Sequence, residues 1–335
     1  MSNATPTLAS SLESLRRTGV IAAPAGVGLI RVAGDDAATF LHTQLTNAVE
    51  DLSPDTARLA GYCSPKGRLQ ASFLMWRDAD GIVLQISADI QPAIQKRLTM
   101  FVLRAKAKLS DLSATHGMLG VAGPAAAGAL AVAGLPAPQG PLQAASAEGV
   151  TVIRLADADG APRWQIVAPA DRIAALQQTL SGNLDAAAPA FWDWLDVLSG
   201  VPRISTPTQE QFVPQMINFE LIGGVNFRKG CYPGQEVVAR SQYRGTLKRR
   251  MWRLHGEGEV PAAAAEIFRP EDPEQPCGMI VNAAPSPEGG WDALAELKID
   301  AAAGALRLGA ADGPAVATRA LPYEVPLPNA AEAAG

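Results

Sequence analysis

The pattern of secondary-structure signals changes near residue 247, and this change constrains the fold more than any other feature of the chain. Before it, two successive groups of strand-like runs and amphipathic helical segments follow one another. The first group contains ARLAGYCS and RLQASFLMWR around a short PKG connection, which predicts a β-hairpin. After residue 250, short strand-like runs such as MWRLHGEG, CGMIVNAAP and WDALAELKI are separated by turn residues. This order predicts an α+β protein with two α+β lobes and a small C-terminal β-barrel or sandwich.

The domain bounds are predicted from the same pattern. Residues 17–247 should form the two lobes, one from 17–115 with 190–247 and the other from 116–189. The C-terminal β domain should occupy 248–325. A chain of 335 residues is long enough to bury several cores of this size.

Both ends of the chain, 1–16 and 326–335, are rich in small residues and lack periodicity, so we expect flexible tails. The N-terminal segment has no apolar run behind a basic start, which argues against a secretory signal. No window approaches the roughly 18 apolar residues of a spanning helix. With 48% hydrophobic and 18% charged residues, the composition is that of a soluble globular protein without a membrane partner.

The cysteines argue for a reducing compartment, which we take to be the cytoplasm. Cys63, Cys231 and Cys277 are odd in number and widely spaced, which disfavours a disulfide framework. The chain has no CxxC pair and only three histidines, so a metal site built by the protein is not expected. Cys231 is therefore predicted to be a free thiol.

The segment KGCYPGQEVVAR places Cys231 in a loop between two glycines. Helical character resumes at Glu236, so the cysteine should lie just before a helix N-terminus, where partial positive charge favours a thiolate. Lys229 could add to that charge. Gly230 and Gly234 lack a β-carbon and allow a ligand or another backbone segment to come close. These local features fit a functional thiol and a small buried filler equally well.

Charge is uneven around this segment. The chain has a net charge of −5, but residues 228–250 hold seven basic residues and one acid, a net +6 that leaves −11 for the remainder. The basic residues are Arg228, Lys229, Arg240, Arg244, Lys248, Arg249 and Arg250. Such a patch suits a polyanion, which could be a polyglutamate tail, a phosphate-bearing ligand or RNA, while a solvated surface is the alternative.

One pair of carboxylates stands out elsewhere. Asp193 and Asp196 lie three residues apart in the helical segment PAFWDWLDVLSGVP and could work as a pair. The apolar stripe of that segment is formed by other residues, so a solvated helix face is the better interpretation of the two acids.

The chain resembles a known family at the cysteine segment. KGCYPGQE matches the K-G-C-Y-x-G-Q-E signature of YgfZ-type proteins, which are folate-binding relatives of the glycine-cleavage T-protein. FVPQMINFELIGGVNFRKG is similar to the F-x-P-Q-x-x-N segment that leads into that signature. GDDAATFLHTQLTNAVEDL, CSPKGR and SGVPRI fall where the family has similar segments, so the resemblance covers about residues 25–325.

This resemblance implies a T-protein-like fold in which two α+β lobes and a C-terminal β-barrel enclose a pocket for tetrahydrofolate or a derivative. In the family an aromatic residue on the helix before a Gly-x-Pro turn contacts the folate, and Trp192, eight residues before Gly200, matches it. Cys231 and Lys229 are implied to be the functional thiol and its neighbour. The other positions implied to border the folate are Val27, Gln215, Asn218, Gly230, Tyr232, Gly234, Gln235, Glu236 and Arg240.

Two positions depart from the family pattern. Val27 stands where a second aromatic residue contacts the folate, and losing that ring should weaken pterin binding by about 1 kcal/mol. Gln70 and Ala71 stand where the T-protein carries an acidic pair. A neutral amide cannot move the proton that aminomethyl transfer needs, so the ordinary transferase reaction is not expected.

The resemblance thus favours a folate-binding accessory protein that supports assembly or repair of iron–sulfur enzymes, including those that modify tRNA. Its expected partners are folate and iron–sulfur enzymes or assembly proteins, with an indirect link to tRNA. Two alternatives stay open at this point: a folate-dependent one-carbon transferase with an altered acid, and a direct tRNA-binding module suggested by the basic stretch.

Overall fold

The computed structural model describes residues 5–243 and 247–326. Within them the helices are α1 (Leu8–Arg17), α2 (Ala37–Gln44), α3 (Gln91–Val102), α4 (Ala126–Val132), α5 (Ala170–Leu180), α6 (Pro189–Leu198) and α7 (Gln235–Tyr243), with short 3-10 helices at Thr206–Thr208 and Pro214–Ile217. The strands are β1 (Val20–Ala22), β2 (Val27–Ala33), β3 (Ala57–Cys63), β4 (Leu69–Asp78), β5 (Gly81–Ser87), β6 (Lys108–Asp111), β7 (His116–Ala122), β8 (Ala144–Ala147), β9 (Val150–Ala158), β10 (Ala161–Pro169), β11 (Asp185–Ala186), β12 (Arg249–Gly256), β13 (Glu266–Phe268), β14 (Gly278–Pro285), β15 (Trp291–Lys298), β16 (Leu306–Leu308) and β17 (Ala315–Arg319).

A five-stranded antiparallel sheet, in the order β3-β4-β5-β2-β6, forms the first lobe. Its β3–β4 pair is the hairpin predicted around the PKG connection, and Gly67 supplies the positive φ of +72° that the turn requires. Strand β4 is buried on both faces over most of its length: the apolar run FLMW fills its middle, and the polar Gln70 and Ser72 before that run are buried as well.

A six-stranded sheet, in the order β11-β1-β7-β10-β9-β8, forms the second lobe. Its pairs are antiparallel except for β1 with β11. Helices α4 and α5 cover it through the buried side chains of Leu130, Leu176 and Leu180. Strand β1 belongs to this sheet although the sequence bounds place it with the first lobe; the domain bounds themselves stay a prediction.

The C-terminal strands close into a six-stranded barrel in the order β12-β15-β14-β13-β16-β17. Leu254, Ile280 and Trp291 are among the fully buried side chains of its core. The predicted fold class, with two α+β lobes and a C-terminal β-barrel, is therefore confirmed, and of the two β architectures considered the barrel is the one present.

Helix α6 joins the three parts of the fold. It contacts β14 and β15 of the barrel as well as β1 and β9 of the six-stranded sheet. Phe191, Trp194 and Leu195 bury its apolar side in the main core. The Trp194 indole donates to a buried Asp292 carboxylate oxygen of the barrel at 2.8 Å. Every face of α6 is thus covered by protein or lines the space between lobes and barrel.

The predicted N-terminal tail is wrong for most of its length, because Leu8–Arg17 form helix α1. Thr7 caps this helix through a reciprocal pair of hydrogen bonds with Ser10, and Leu12 and Leu15 are buried. The sequence signal is weak because serine replaces the glutamate of the usual capping box. At the other end, 327–335 of the predicted tail lie outside the described residues.

Candidate functional site

A cavity of about 450 Å³ lies where the two lobe sheets meet the barrel. Its lining comes from β4 and β5 of one sheet, β9 and β10 of the other, helix α6, and β14 of the barrel. Side chains such as Leu74, Leu155 and Phe219 give it apolar walls, and polar and charged side chains from several of these elements also line it. Concave, mostly apolar spaces of this size are the usual sites of small-molecule ligands.

Trp192 and Val27, the two positions matched to folate-contacting aromatic residues, both line this cavity. The Trp192 ring is only 2% exposed. It lies flat on Gly120, since a Cβ there would come within 2.5–2.6 Å of three carbons of the six-membered ring. The Arg163 guanidinium carbon is 5.2 Å from the ring centroid. Trp192 thus presents little of its face to the cavity, and its packing role is large.

The interpretation of Asp193 and Asp196 as a solvated helix face is wrong, because both carboxylates line the cavity. Asp196 accepts a hydrogen bond of 2.9 Å from the guanidinium of Arg163, whose side chain is 2% exposed. Asp193 lies 3.5 Å from the guanidinium of Arg203, and burial raises the pKa of its carboxyl. The sequence shows only acids opposite an apolar stripe, a pattern that a solvated face and a cavity wall share.

The cysteine motif, residues 229–236, lies outside the cavity lining. Cys231 is exposed, and α7 begins four residues after it at Gln235, so its predicted position before a helix is confirmed. Lys229 is half-buried, and its ammonium donates to the backbone oxygens of His42 and, at 2.8 Å, of Leu45. These carbonyls lie at the C-terminal end of α2, where a cation satisfies orphan acceptors. Lys229 therefore anchors the motif to α2.

The two glycines of the motif differ in purpose. Gly234 has a φ of +81°, and a Cβ on it would lie 2.4 Å from the Ser64 backbone oxygen and 2.7 Å from the Gly67 Cα. It therefore lets the motif rest against the β3–β4 turn, so that CSPKGR and KGCYPGQE touch in the fold. Gly230 has only the His42 ring nearby, at 3.8 Å, and leaves open space beside Cys231.

None of the described residues of the motif or of α7 contributes to the cavity lining. Gly230, Glu236 and Arg240 are exposed, Gln235 is half-buried, and Tyr232 is buried with its ring 4.8 Å from the Lys229 ammonium. The structure thus groups these predicted positions around Cys231, and not with Trp192 and Val27. Their assignment to folate binding stays a prediction.

Gln215 and Asn218 are fully buried, and their side-chain amides are hydrogen-bonded to backbone groups. The Gln215 amide donates to the Val238 oxygen of α7 at 2.8 Å, and the Asn218 amide donates to the Met251 oxygen of β12 at 2.9 Å. Both are absent from the cavity lining. Their contacts hold α7 and the barrel against the lobes.

Two basic side chains of the stretch 228–250 are held in ion pairs, so the stretch offers less positive charge to a polyanion than its sequence indicates. The Arg250 guanidinium pairs with Glu220, and that of Arg249 donates to both carboxylate oxygens of Glu296 at 2.8 Å. Arg228, Arg240 and Lys248 are exposed, whereas Arg244 lies outside the described residues. Acids distant in sequence provide the compensation, which is why a local charge count overestimates the patch.

Cys63, Cys231 and Cys277 are all free thiols, the first and third being buried. In the described ranges, no group of three His, Cys, Asp or Glu side chains could hold a metal ion. Over the same ranges, no helix has the length and apolar character needed to cross a bilayer.

We predict that the Lys229 amine loses its proton near pH 8. Burial lowers its pKa to about 8 from the ordinary lysine value of 10.5, although Cys231 and Glu50 nearby oppose the shift. Since the unfolded chain keeps this proton to about pH 10.4, the folded state should gain stability from this group as pH rises through that window. Acetylation of Lys229, followed by mass spectrometry from pH 6 to 10, should show a midpoint near 8. A midpoint at the ordinary lysine value would contradict the shift.

The fold defines a class of protein. A solved structure of glycine cleavage system aminomethyltransferase T from Bartonella henselae matches with a TM-score of 0.78, covering 94% of this chain and 89% of that one, at 18% identity. The protein therefore has the T-protein aminomethyltransferase fold, with its cavity between the lobes and the barrel.

Sequence comparison identifies the family within this class. The tRNA-modifying protein YgfZ of Cronobacter sakazakii is 34% identical over 245 residues, 71% of this chain and 72% of that protein. That of Edwardsiella ictaluri is 32% identical over 277 residues, 81% of this chain and 82% of its own length. The chain belongs to the YgfZ family. No protein-family model matches the sequence.

Proposed function

We propose that this protein binds tetrahydrofolate or a derivative in the cavity between its lobes and barrel, and supports the assembly or repair of iron–sulfur enzymes, including those that modify tRNA. The cavity is the observation that carries the proposal, because Trp192 and Val27 both line it. The names of the YgfZ relatives support the link to tRNA modification. The iron–sulfur part rests on the family resemblance and on the exposed Cys231 thiol.

The cavity residues fit a reduced folate. Its apolar walls suit a flat heterocycle, and the paired Asp193, Asp196, Arg163 and Arg203 side chains of the lining offer both acceptors and donors to polar ring edges. When bound, a reduced folate supplies a carrier for one-carbon groups. The residues of this chain would exclude water from the ring and orient it.

Cys231 is assigned the role of a thiol that acts toward a partner protein or its cluster. It is exposed and lies outside the cavity lining, so a partner can reach it without entering the folate site. Lys229 holds the loop that presents it. This separation of the two sites makes them independently testable.

Cys231→Ala should abolish complementation of a strain that lacks its own family member, while tetrahydrofolate binding by the purified variant stays within about twofold of wild type. The physical reason is that the substitution removes the sulfur of a residue that is not part of the cavity lining. Complementation assays and calorimetric titration measure the two properties.

Cys277→Ala, which removes a buried barrel thiol, is the control and should complement. Full complementation by Cys231→Ala would remove the thiol from the proposal. Absence of saturable tetrahydrofolate binding by the wild-type protein would overturn the folate part.

A further inference from the structure

The acidic side chains that line the cavity are each paired with an arginine. Asp196 pairs with Arg163 at 2.9 Å, and Asp193 lies 3.5 Å from Arg203. Asp157, a third carboxylate of the lining, pairs with Arg154. A wall whose charges cancel in this way does not select an anionic group. It suits a neutral ligand edge on which hydrogen-bond donors and acceptors lie side by side.

The carboxylates of Asp193 and Asp196 differ in how much of their hydrogen-bond acceptor capacity remains unused. Asp196 is held by a guanidinium that is itself almost completely buried. The 3.5 Å separation between Asp193 and Arg203 is longer than a good hydrogen bond, and the described residues provide no other hydrogen bond to the Asp193 carboxylate. About a third of the Asp193 side chain is exposed, and it lines the cavity. Asp193 therefore has unused acceptor capacity at the site.

The position of Asp193 is fixed by its neighbours. It directly follows Trp192, whose ring is locked against Gly120, and the helix that carries both is packed on the barrel. Burial raises the pKa of the Asp193 carboxyl, which reflects the cost of leaving this charge without sufficient partners. A ligand that donates to this carboxylate would relieve that cost.

We propose that Asp193 is the residue that reads the pyrimidine edge of the folate ring, accepting hydrogen bonds from its 2-amino group and adjacent ring N–H, while Arg203 donates to the neighbouring 4-oxo group. This inference rests on the proposed function. The edge presents two donors followed by one acceptor, and the Asp193–Arg203 pair presents two acceptor oxygens followed by a donor. The pair thus selects 2-amino-4-oxo heterocycles over 2,4-dioxo ones, which place an oxygen against the carboxylate.

The test is a calorimetric comparison of 5-formyltetrahydrofolate with its analogue in which oxygen replaces the 2-amino group. The wild-type protein should bind the analogue about 10- to 100-fold more weakly, the range for a lost hydrogen bond to a charged group. Asp193→Asn should weaken binding of 5-formyltetrahydrofolate by a similar factor and reduce the difference between the two ligands to a few-fold.

Two further variants serve as controls. Asp35→Asn changes an exposed carboxylate outside the cavity lining and should leave both affinities unchanged. Arg203→Met keeps the Asp193 carboxylate and should keep most of the discrimination, although binding weakens. Thermal unfolding of each free variant shows that the fold is intact.

The outcomes distinguish failure of this inference from failure of the proposed function. Saturable binding by wild type, with discrimination unchanged in Asp193→Asn, overturns the inference and leaves the folate proposal standing. Discrimination lost in Arg203→Met but kept in Asp193→Asn also overturns it. No binding of either ligand by wild type overturns both.

Discussion

Arg250→Met is expected to lower the free energy of unfolding by about 3–5 kcal/mol, the cost of breaking a buried ion pair from one side. Arg250 of β12 pairs with Glu220, and each side chain is only 4% exposed. Its guanidinium also donates to the Gln215 backbone oxygen at 3.1 Å. The substitution leaves the Glu220 carboxyl, whose pKa burial already raises, without its cation. Urea unfolding followed by tryptophan fluorescence measures the loss.

The double variant Glu220→Leu with Arg250→Met is the matched control. Replacing both members of a buried pair by apolar side chains is often close to neutral, so the double variant should recover most of the lost stability. A single-variant cost below about 1 kcal/mol, or a double variant as unstable as the single one, would contradict the ion-pair explanation.

The contacts between β12 and the lobes explain the role of two predicted site residues. Gln215 receives Arg250 on its backbone oxygen, and Asn218 exchanges hydrogen bonds with both backbone groups of Met251. These contacts attach the first barrel strand to the lobes. Substitutions that neutralise Arg249 and Arg250 would therefore destabilise the fold, so a loss of RNA binding in such a variant could not be assigned to a lost RNA contact. Arg228, Arg240 and Lys248 are exposed and are the better positions for such a test.

Local sequence signals predict much of this fold because they act over short distances. The PKG connection between two apolar runs gives the β3–β4 hairpin, since glycine at position 67 permits the turn. The helix after Pro233-Gly234 and the change to short strands after residue 250 are equally local. Each follows from the residues in its own stretch of sequence.

The cavity wall could not be predicted in this way, because its partners are distant in sequence. Asp196 is separated from Arg163 by 33 residues, and only the docking of α6 on the six-stranded sheet brings them together. The same holds for Arg250 and Glu220, 30 residues apart. A helix with acids opposite an apolar stripe predicts a solvated face whenever the covering element is unknown.

Gly234→Ala is expected to destabilise the protein by about 2–5 kcal/mol. The residue has a φ of +81°, a conformation that costs alanine about 1–2 kcal/mol. Its Cβ would also lie 2.4 Å from the Ser64 oxygen and 2.7 Å from the Gly67 Cα, and relieving such overpacking costs about 1–3 kcal/mol. Gly67 cannot retreat freely, because it packs in turn against Val237. Denaturant unfolding measures the effect, and complementation should fall with it because the Cys231 loop loses its support.

Gly223→Ala separates the two causes. Gly223 has nearly the same φ, +79°, but no atom within 4 Å of the position its Cβ would take, so only the conformational cost applies there. The difference between the two variants, about 1–3 kcal/mol, measures the contact between the cysteine motif and the hairpin turn. Equal costs would mean that the motif does not rest on that turn. A larger cost at Gly234 would mean that this glycine serves packing, leaving Gly230 as the position that opens space beside the thiol.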